Sequence, residues 1–215
     1  MTADIIPFNP LDKRNLGASV AEAMLAGKAH PLGSVPEFRG AGIYALYYAG
    51  DFAPYGEIAK RNKDTNTAPI YVGKAVHPGA RKGGGMASGN GGKPLYNRLL
   101  EHAESINAAS NLNIGDFSCR FLVVDDIWIP LGESLLIARY SPIWNALIDG
   151  FGNHDPGSGR YNGMRPRWDV LHPGRTWAEK CKDRLETADD IWRDVETYLL
   201  NTIFPTSDRF ITPED

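Results

Sequence analysis

The chain has 215 residues, of which 42% are hydrophobic and 23% are charged, and its formal net charge is -3. This composition is that of a globular protein with one sizeable core and excludes a disordered chain. The segment 1–10 lacks the basic and apolar regions of a secretion signal, and no apolar run approaches the ~18 residues of a membrane span. We therefore expect a cytoplasmic protein without membrane association, forming a single domain over residues 1–215.

The two cysteines and the basic residues limit the classes of site further. Cys119 and Cys181 are too far apart in the sequence for a metal-ligand motif, so we expect both to be reduced and structural. The negative net charge argues mildly against nucleic acid, but the basic residues are clustered. A solvated face and a DNA-binding surface are both open for these clusters. Their members are Arg81, Lys82, Lys93 and Arg98, then Arg160, Arg165, Arg167 and Arg175.

The first predicted elements are a helix and a strand. Apolar residues recur at helical spacing over 16–24, which predicts a helix that ends near Gly27, and a loop over 31–40 follows. Residues 42–48 are β-branched and aromatic enough to predict a strand. Alternation along it places Ile43 and Tyr44 on opposite faces.

Two insertions flank the second predicted strand, Ile70–Val72. The first, 49–69, is polar and too long for a tight hairpin. The second, 83–92, is rich in glycine, and glycine backbone is costly to order without a partner. A mobile loop that orders on a ligand and a solvent-exposed linker are both open for it.

Residues 94–103 predict a helix that begins at Pro94 and turns its three leucines towards a core. Arg98 and His102 are four residues apart and therefore share a helical face, with about 5 to 6 Å between their Cβ atoms. Alone, such a pair is usually a surface feature.

The apolar run 117–124 predicts the strongest strand, which we expect in the centre of the sheet. After Pro130, residues 131–140 predict a helix with Glu133 in its first turn and its apolar residues at 135–137 buried. Glu133 has two interpretations: a carboxylate that stabilises the positive end of the helix, or a metal ligand.

Asn145 follows the helix stop at Ser141-Pro142, in apolar surroundings. A buried amide needs hydrogen-bond partners, so Asn145 either holds backbone groups together or orients an active-site group.

The last third of the chain predicts helices. Thr176 with Glu179, and Thr187 with Asp190, resemble capping boxes. Apolar residues at helical spacing, from 191 to 203, follow the second box. We expect this helical segment to pack on the sheet.

The tripeptides Gly42-Ile43-Tyr44 and Tyr71-Val72-Gly73, followed by Arg98, Glu133 and Asn145, give the chain a family resemblance. It resembles the GIY-YIG nuclease superfamily over residues 41–147. The resemblance implies an α+β fold, with a small mixed or antiparallel central sheet flanked by helices. Residues 1–40 would form an N-terminal helical arm, and residues 148–215 an Arg-rich loop and a helical C-terminal extension.

Two departures point to one branch of that superfamily. His102 stands where relatives often have tyrosine, and 26 residues separate Tyr44 from Tyr71. Both features resemble the type II restriction enzymes of the superfamily, and the overall pattern is similar to those that cut CCGCGG.

Each position of the pattern suits phosphodiester hydrolysis. The phenols of Tyr44 and Tyr71 can hold or deprotonate a water molecule, and the planar fork of Arg98 suits a phosphate. His102 can move a proton near neutral pH. The resemblance implies that Glu133 binds a single Mg²⁺, for which Mn²⁺ can substitute, and that Asn145 orients Glu133 or a neighbouring group. Which of the tyrosines or His102 is the general base is open.

The function implied by the resemblance is Mg²⁺-dependent cleavage of both strands of a short, GC-rich palindromic site in double-stranded DNA. A palindrome suits a homodimer. A cognate DNA methyltransferase is expected in the same system, although not as a bound subunit. The alternatives are a GIY-YIG module that binds DNA without cutting it, and a repair or homing nuclease.

The core contacts phosphate, so we expect sequence specificity to come from basic residues outside it. Arginine is the preferred reader of guanine in the major groove. The candidates for DNA contact are Lys74, Arg81, Lys82, Lys93, Arg160, Arg165, Arg167 and Arg175.

Overall fold

The structure, a computed structural model, describes residues 9, 11–77, 92–157, 159 and 161–205. Four strands of this part of the chain form one sheet: β1 (His30–Pro31), β2 (Gly42–Tyr48), β3 (Pro69–Ala75) and β4 (Phe117–Val123). Their order across the sheet is β1-β4-β2-β3, and all neighbouring strands are antiparallel. The predicted α+β class is confirmed, with an antiparallel rather than a mixed sheet.

Helices lie on both faces of the sheet. In the described residues they are α1 (Lys13–Leu25), α2 (Gly56–Asn62), α3 (Pro94–Ala108), α4 (Ile129–Tyr140), α5 (Ile143–Ala146), α6 (Arg167–Leu171) and α7 (Ala188–Asn201). No helix among the described residues is long and apolar enough to span a membrane.

β2 is buried on both sides and divides the core in two. Ile43, Ala45 and Tyr47 belong to a cluster with α1 and α4. The alternate residues, including Tyr44, belong to a second cluster with residues of α3, α5, α6 and α7. The opposite orientation of Ile43 and Tyr44 is therefore confirmed, and a strand buried on both faces explains why β2 is apolar throughout.

The strands agree with the sequence predictions except at the shortest element. β4 pairs with β1 on one side and β2 on the other, so its central position is confirmed. β1 includes Pro31, which the sequence placed in a loop. A two-residue strand has too few positions to show alternation. The polar insertion 49–69 contains α2, and Asn62 at its end donates hydrogen bonds to the carbonyls of Tyr48 (3.0 Å) and Ala68 (2.8 Å).

Two helix predictions need correction in detail. α3 continues to Ala108, and Leu100 is exposed because the buried stripe follows Leu95 and Leu99 instead. α4 begins at Ile129, so Glu133 lies in its second turn and not its first. Residues 135 and 137 are only partly buried, whereas Leu136 is fully buried.

The two ends of the chain follow the predictions in part. α1 ends at Leu25, which leaves Gly27 just beyond its C-cap residue. The capping box of Thr187 and Asp190 at the start of α7 is confirmed. The box predicted at Thr176 is wrong, because a 3₁₀ turn begins there at Ala178 without a side-chain cap.

α7 buries one apolar stripe, formed by Ile191, Val195 and Leu199. Ile203 was predicted to belong to this stripe, but it lies beyond the helix and is 92% exposed. The helix packs mainly on α6 and on the 3₁₀ turn Ala53–Tyr55. It therefore joins the core through these elements, on the same face of the sheet as Tyr44.

Cys119 and Cys181 are both free and buried, and burial raises the pKa of the Cys119 thiol to about 12. Most of the glycine-rich insertion 83–92, together with Arg81, Lys82 and Arg160, lies outside the described residues.

Candidate active site

The two signature tyrosines come together on one face of the sheet. Tyr44 lies opposite Gly73 in the β2–β3 register, and Tyr71 lies opposite Leu46. The ring centroids of Tyr44 and Tyr71 are 6.2 Å apart. Alternation on two neighbouring strands is sufficient for this arrangement, because residues an even number of positions apart point to the same face.

Both signature glycines have a steric reason. A Cβ atom at Gly73 would lie 2.4 Å from the hydroxyl oxygen of Tyr44, and one at Gly42 would lie 1.9 Å from the carbonyl oxygen of Leu122. Gly73 therefore makes room for a site phenol, whereas Gly42 allows β2 to approach β4.

Tyr44 forms a buried hydrogen bond with His102. The distance from Tyr44 Oη to His102 Nε2 is 2.5 Å, and the imidazole is only 1% exposed. Its ring stacks on that of Phe151, with centroids 4.5 Å apart and planes 15° apart. Arg98 and His102 lie on one face of α3, as predicted, and the packing of this face places the imidazole in the core.

Burial acts in opposite directions on the two partners. Loss of solvent, followed by the charge of Arg98, holds the pKa of His102 well below its ordinary value. Burial and then the neighbouring Tyr71 raise the pKa of Tyr44 well above its ordinary value. Both groups are therefore neutral in the resting site. In the imidazole tautomer with its proton on Nδ1, the phenol O–H donates to Nε2.

Arg98 lies beside this pair and has three further hydrogen-bond partners. Nη2 donates to the carbonyl oxygen of Gly152 at 2.7 Å, and Nη1 lies 3.0 Å from Glu101 Oε2. Nη1 also lies 2.5 Å from His154 Nε2. The positive charge of Arg98 opposes the rise in the pKa values of both Tyr44 and Tyr71. Arg98 is therefore placed where it stabilises negative charge on either phenol.

Glu133 approaches from α4, on the other face of the sheet. Its Oε2 accepts a hydrogen bond from Lys74 Nζ at 2.5 Å. Its negative charge contributes to the raised pKa values of Tyr44 and Tyr71, which places it within electrostatic range of both.

The donor set at Glu133 fits Mg²⁺ as a single carboxylate. Mg²⁺ is commonly held by one or two carboxylates, with phosphate oxygens and water completing the coordination. Among the described residues, no group of three or more His, Cys, Asp or Glu side chains could hold a metal ion by itself. Phosphate oxygens of a substrate and water are ligands of the kind that would complete the coordination of a metal at Glu133.

Asn145 binds the backbone of β3. Its Oδ1 accepts from Val72 N and its Nδ2 donates to Val72 O, both at 2.8 Å. Of the two sequence interpretations, this contact corresponds to the backbone one. Because Val72 lies between Tyr71 and Gly73, the amide fixes the strand segment that carries the second tripeptide.

The basic residues considered for DNA contact are mostly engaged within the protein. Arg165 pairs with Asp183 at 3.0 Å, and Lys93 pairs with Glu37 at 2.6 Å. Arg167 pairs with Asp194 and Glu186.

Arg175 is the most deeply buried of them, at 4% exposure. It forms a two-pronged salt bridge with Asp169, with both N–O distances 2.6 Å. A guanine contact by Arg175 would require this buried pair to separate, so its environment here is that of a structural residue.

Sequence reasoning missed Phe151, Gly152 and His154, which contact His102 or Arg98. They follow the region of family resemblance that ends at residue 147. His154 is 56 residues from Arg98, and no spacing rule connects positions that far apart.

Comparison with known families covers this additional segment. A family model described as the Eco29kI GIY-YIG domain matches residues 36–199. The match includes the signature tripeptides and continues through residues 150–154. No curated protein matches the chain.

Proposed function

Because the chain belongs to the Eco29kI GIY-YIG domain family, a family of type II restriction endonucleases, we propose that it cleaves both strands of a short palindromic DNA site in the presence of Mg²⁺. Eco29kI cuts CCGCGG, and we propose a GC-rich target of the same kind. The observation that carries the proposal is the Tyr44–His102 hydrogen bond beside Arg98, with Glu133 within electrostatic range.

In the proposed reaction, Tyr44 and His102 remove a proton from the attacking water. The water oxygen bonds to phosphorus as the bond to the leaving oxygen breaks. The water proton passes to Tyr44 Oη while the phenol proton passes to His102 Nε2, 2.5 Å away. Because its pKa is raised, the buried phenol of Tyr44 stays protonated in the resting site. It can therefore accept the water proton only while its own proton passes to the neutral imidazole. Tyr71 assists by holding the water.

Arg98 stabilises the negative charge that develops on the phosphate oxygens and on the phenol. Mg²⁺ held by Glu133 would supply a Lewis acid for the phosphate and for the leaving oxygen, and Mn²⁺ can substitute for it. Asn145 acts through the backbone of Val72, which keeps Tyr71 and Gly73 in register with Tyr44.

A palindromic target is best read by a symmetric homodimer in which each protomer cuts one strand. Lys74 and Lys93 are partly exposed and are proposed to contact DNA, together with Arg81, Lys82 and Arg160. A cognate methyltransferase in the same system would protect the host DNA without being a bound subunit.

The direct test is digestion of several plasmids with the purified protein and Mg²⁺, followed by sequencing of the fragment ends. A single symmetric sequence at all ends supports the restriction assignment. Tight binding without cleavage would contradict it in favour of a binding module. Cleavage confined to branched or asymmetric DNA would contradict it in favour of a repair or homing nuclease.

A further inference from the structure

Arg98 is held from two directions. Glu101 lies on the same helix, three residues away, and binds Nη1. The other partners belong to residues 150–154, here named the 150–154 loop, which supplies the carbonyl of Gly152 to Nη2 and the imidazole of His154 to Nη1. From this arrangement, and resting on the proposed nuclease function, we propose that His154 is a positioning residue that fixes the guanidinium plane of Arg98 for the phosphate.

The chemistry of the contact defines the state of His154. A guanidinium group offers N–H donors and no acceptor, so the 2.5 Å contact of Nη1 with His154 Nε2 is a hydrogen bond in the tautomer that leaves Nε2 unprotonated. The same nitrogen lies 3.5 Å from Glu101 Oε2. A neutral acceptor restrains Arg98 without cancelling its charge. Glu101 adds a charged partner on the same nitrogen, and the two together use both hydrogens of Nη1.

The 150–154 loop is itself fixed by a buried arginine. Arg175 donates to the carbonyls of Gly150 (2.9 Å), Phe151 (3.1 Å) and Asn153 (3.1 Å). Its pairing with Asp169 holds the guanidinium in place. A planar guanidinium with several simultaneous acceptors is a rigid clamp, and lysine lacks this fork.

The same loop also contacts the proposed base. Phe151 stacks on His102, and a Cβ atom at Gly152 would lie 2.8 Å from Tyr71 Oη and 3.0 Å from Arg98 Nη2. One loop therefore sets the surroundings of Arg98, His102 and Tyr71 at once. A displacement of about 1 Å at such a site can cost on the order of 100-fold in rate.

The exposure of His154 makes the proposal testable without disturbing the core. The side chain is 61% exposed, so its replacement removes the contact to Arg98 while Arg175 keeps the loop in place. A competing role is that DNA phosphate displaces His154 from Arg98. Removal of His154 would then leave the cleavage rate unchanged or raise it, which is the opposite of the proposal.

The experiment compares His154→Ala, His154→Asn and His154→Gln in single-turnover cleavage of a cognate duplex, with DNA affinity measured separately. The amide oxygen of glutamine reaches the place of imidazole Nε2, whereas that of asparagine reaches the place of Nδ1. We expect Ala and Asn to lower the rate by about 10- to 100-fold with unchanged affinity, and Gln to restore it to within a few-fold. Equal rates in all four proteins, or a faster Ala variant, would overturn the positioning role.

A second readout is independent of cleavage. Nitrogen-15 NMR of arginine side chains detects rotation about the Cζ–Nε bond, and the Arg98 signal is assigned by its loss in Arg98→Lys. We expect slow rotation in the wild type and in His154→Gln, and faster rotation in His154→Ala. Unchanged rotation in His154→Ala would overturn the inference. If rotation is slow in the wild type and faster in His154→Ala but the wild type cleaves no DNA, the proposed function fails while the contact of His154 to Arg98 remains established.

Discussion

At the scale of single residues, the protein contains two buried tyrosine–histidine hydrogen bonds that differ in their neighbouring side chains. Tyr55 Oη lies 2.7 Å from His172 Nε2, much as Tyr44 lies 2.5 Å from His102. Burial lowers the pKa of His172 to about 3. Tyr55 additionally accepts from Trp144 Nε1 at 2.9 Å. The Tyr44 pair is the one beside Arg98, so the proposed catalytic role belongs to that pair, whereas the Tyr55 pair packs in the core.

The two pairs provide a mutant and its matched control. Tyr44→Phe removes the hydroxyl that relays the proton, so we expect the cleavage rate to fall by about 100- to 10,000-fold. Tyr55→Phe removes an equivalent buried hydroxyl and should leave the rate unchanged. Each variant should lose about 1–3 kcal/mol of unfolding free energy, measured by urea denaturation. Equal cleavage rates in the two variants would show that Tyr44 is not in the proton path.

Glu133 gives a second prediction at this scale. Glu133→Gln keeps the shape of the side chain and an oxygen for Lys74, but it removes the charge that attracts a metal ion. We expect cleavage to be abolished at millimolar Mg²⁺ while the gel-shift affinity for cognate DNA stays within a few-fold of the wild type. Retained cleavage in this variant would remove Glu133 from the metal site.

At the scale of elements, β3 is the strand that needs support. It lies at one end of the strand order, so its outer backbone groups have no strand partner in the described sheet. Asn145 satisfies the N–H and C=O of Val72 in place of a further strand. The helix α5 thereby acts as an edge protector for the strand that carries Tyr71 and Gly73.

Asn145→Ala should therefore affect both stability and activity. It leaves two backbone groups of Val72 without their side-chain partner, which costs about 1–3 kcal/mol of unfolding free energy. We also expect a lower cleavage rate, because Tyr71 and Gly73 flank Val72.

Asn62→Ala is the control for this variant. Asn62 makes three comparable backbone hydrogen bonds, to Tyr48 and Ala68. These residues lie at the end of β2 and just before β3, and neither is next to Tyr71 or Gly73. Asn62→Ala should lose similar stability and keep its catalytic rate at a temperature where both variants are folded. A parallel loss of rate in the two variants would indicate general loosening of the fold and no specific role for Asn145.

At the scale of the whole molecule, the segment after residue 147 is part of the site and not an appendage. Phe151 and Trp168 lie in the same core cluster as Tyr44, and His172 closes the Tyr55 network from α6's C-cap position. The position of His102 in this core makes its low pKa a property of the complete fold.

Stability should consequently depend on pH in a defined window. His102 and His172 have pKa values below the ordinary value of 6.5 in the folded protein, whereas in the unfolded chain both take up protons as pH falls below about 6.5. Their contribution to the free energy of unfolding is therefore fully present above about pH 6.5. It is lost as the pH falls towards the pKa in the folded protein, which is about 3 for His172. Each adds a slope of up to about 1.4 kcal/mol per pH unit.

Urea denaturation at pH 7, 6 and 5 measures this slope, in a range where carboxyl groups contribute little. His172→Gln should have lower stability at pH 7 and a shallower decline towards pH 5. A wild-type free energy of unfolding that is equal at pH 7 and pH 5 would contradict the prediction.

Local backbone geometry is what the sequence by itself determined. Alternation fixed the opposite faces of Ile43 and Tyr44, and the i, i+4 relation placed Arg98 beside His102 on α3. The order of the tripeptides and of the later polar residues was enough for the family resemblance, because a resemblance depends on residue types and their order along the chain and requires no knowledge of their contacts.

Only the tertiary structure decided which partner each polar group has. The sequence left Asn145 open between two roles, and the fold brought it to Val72. In the fold, Arg175 is buried and holds the 150–154 loop, although the sequence analysis considered it for DNA contact. The fold also brings His154 to Arg98. Hydrogen bonds depend on distances of a few tenths of an ångström between groups far apart in the chain, and no local periodicity encodes such distances.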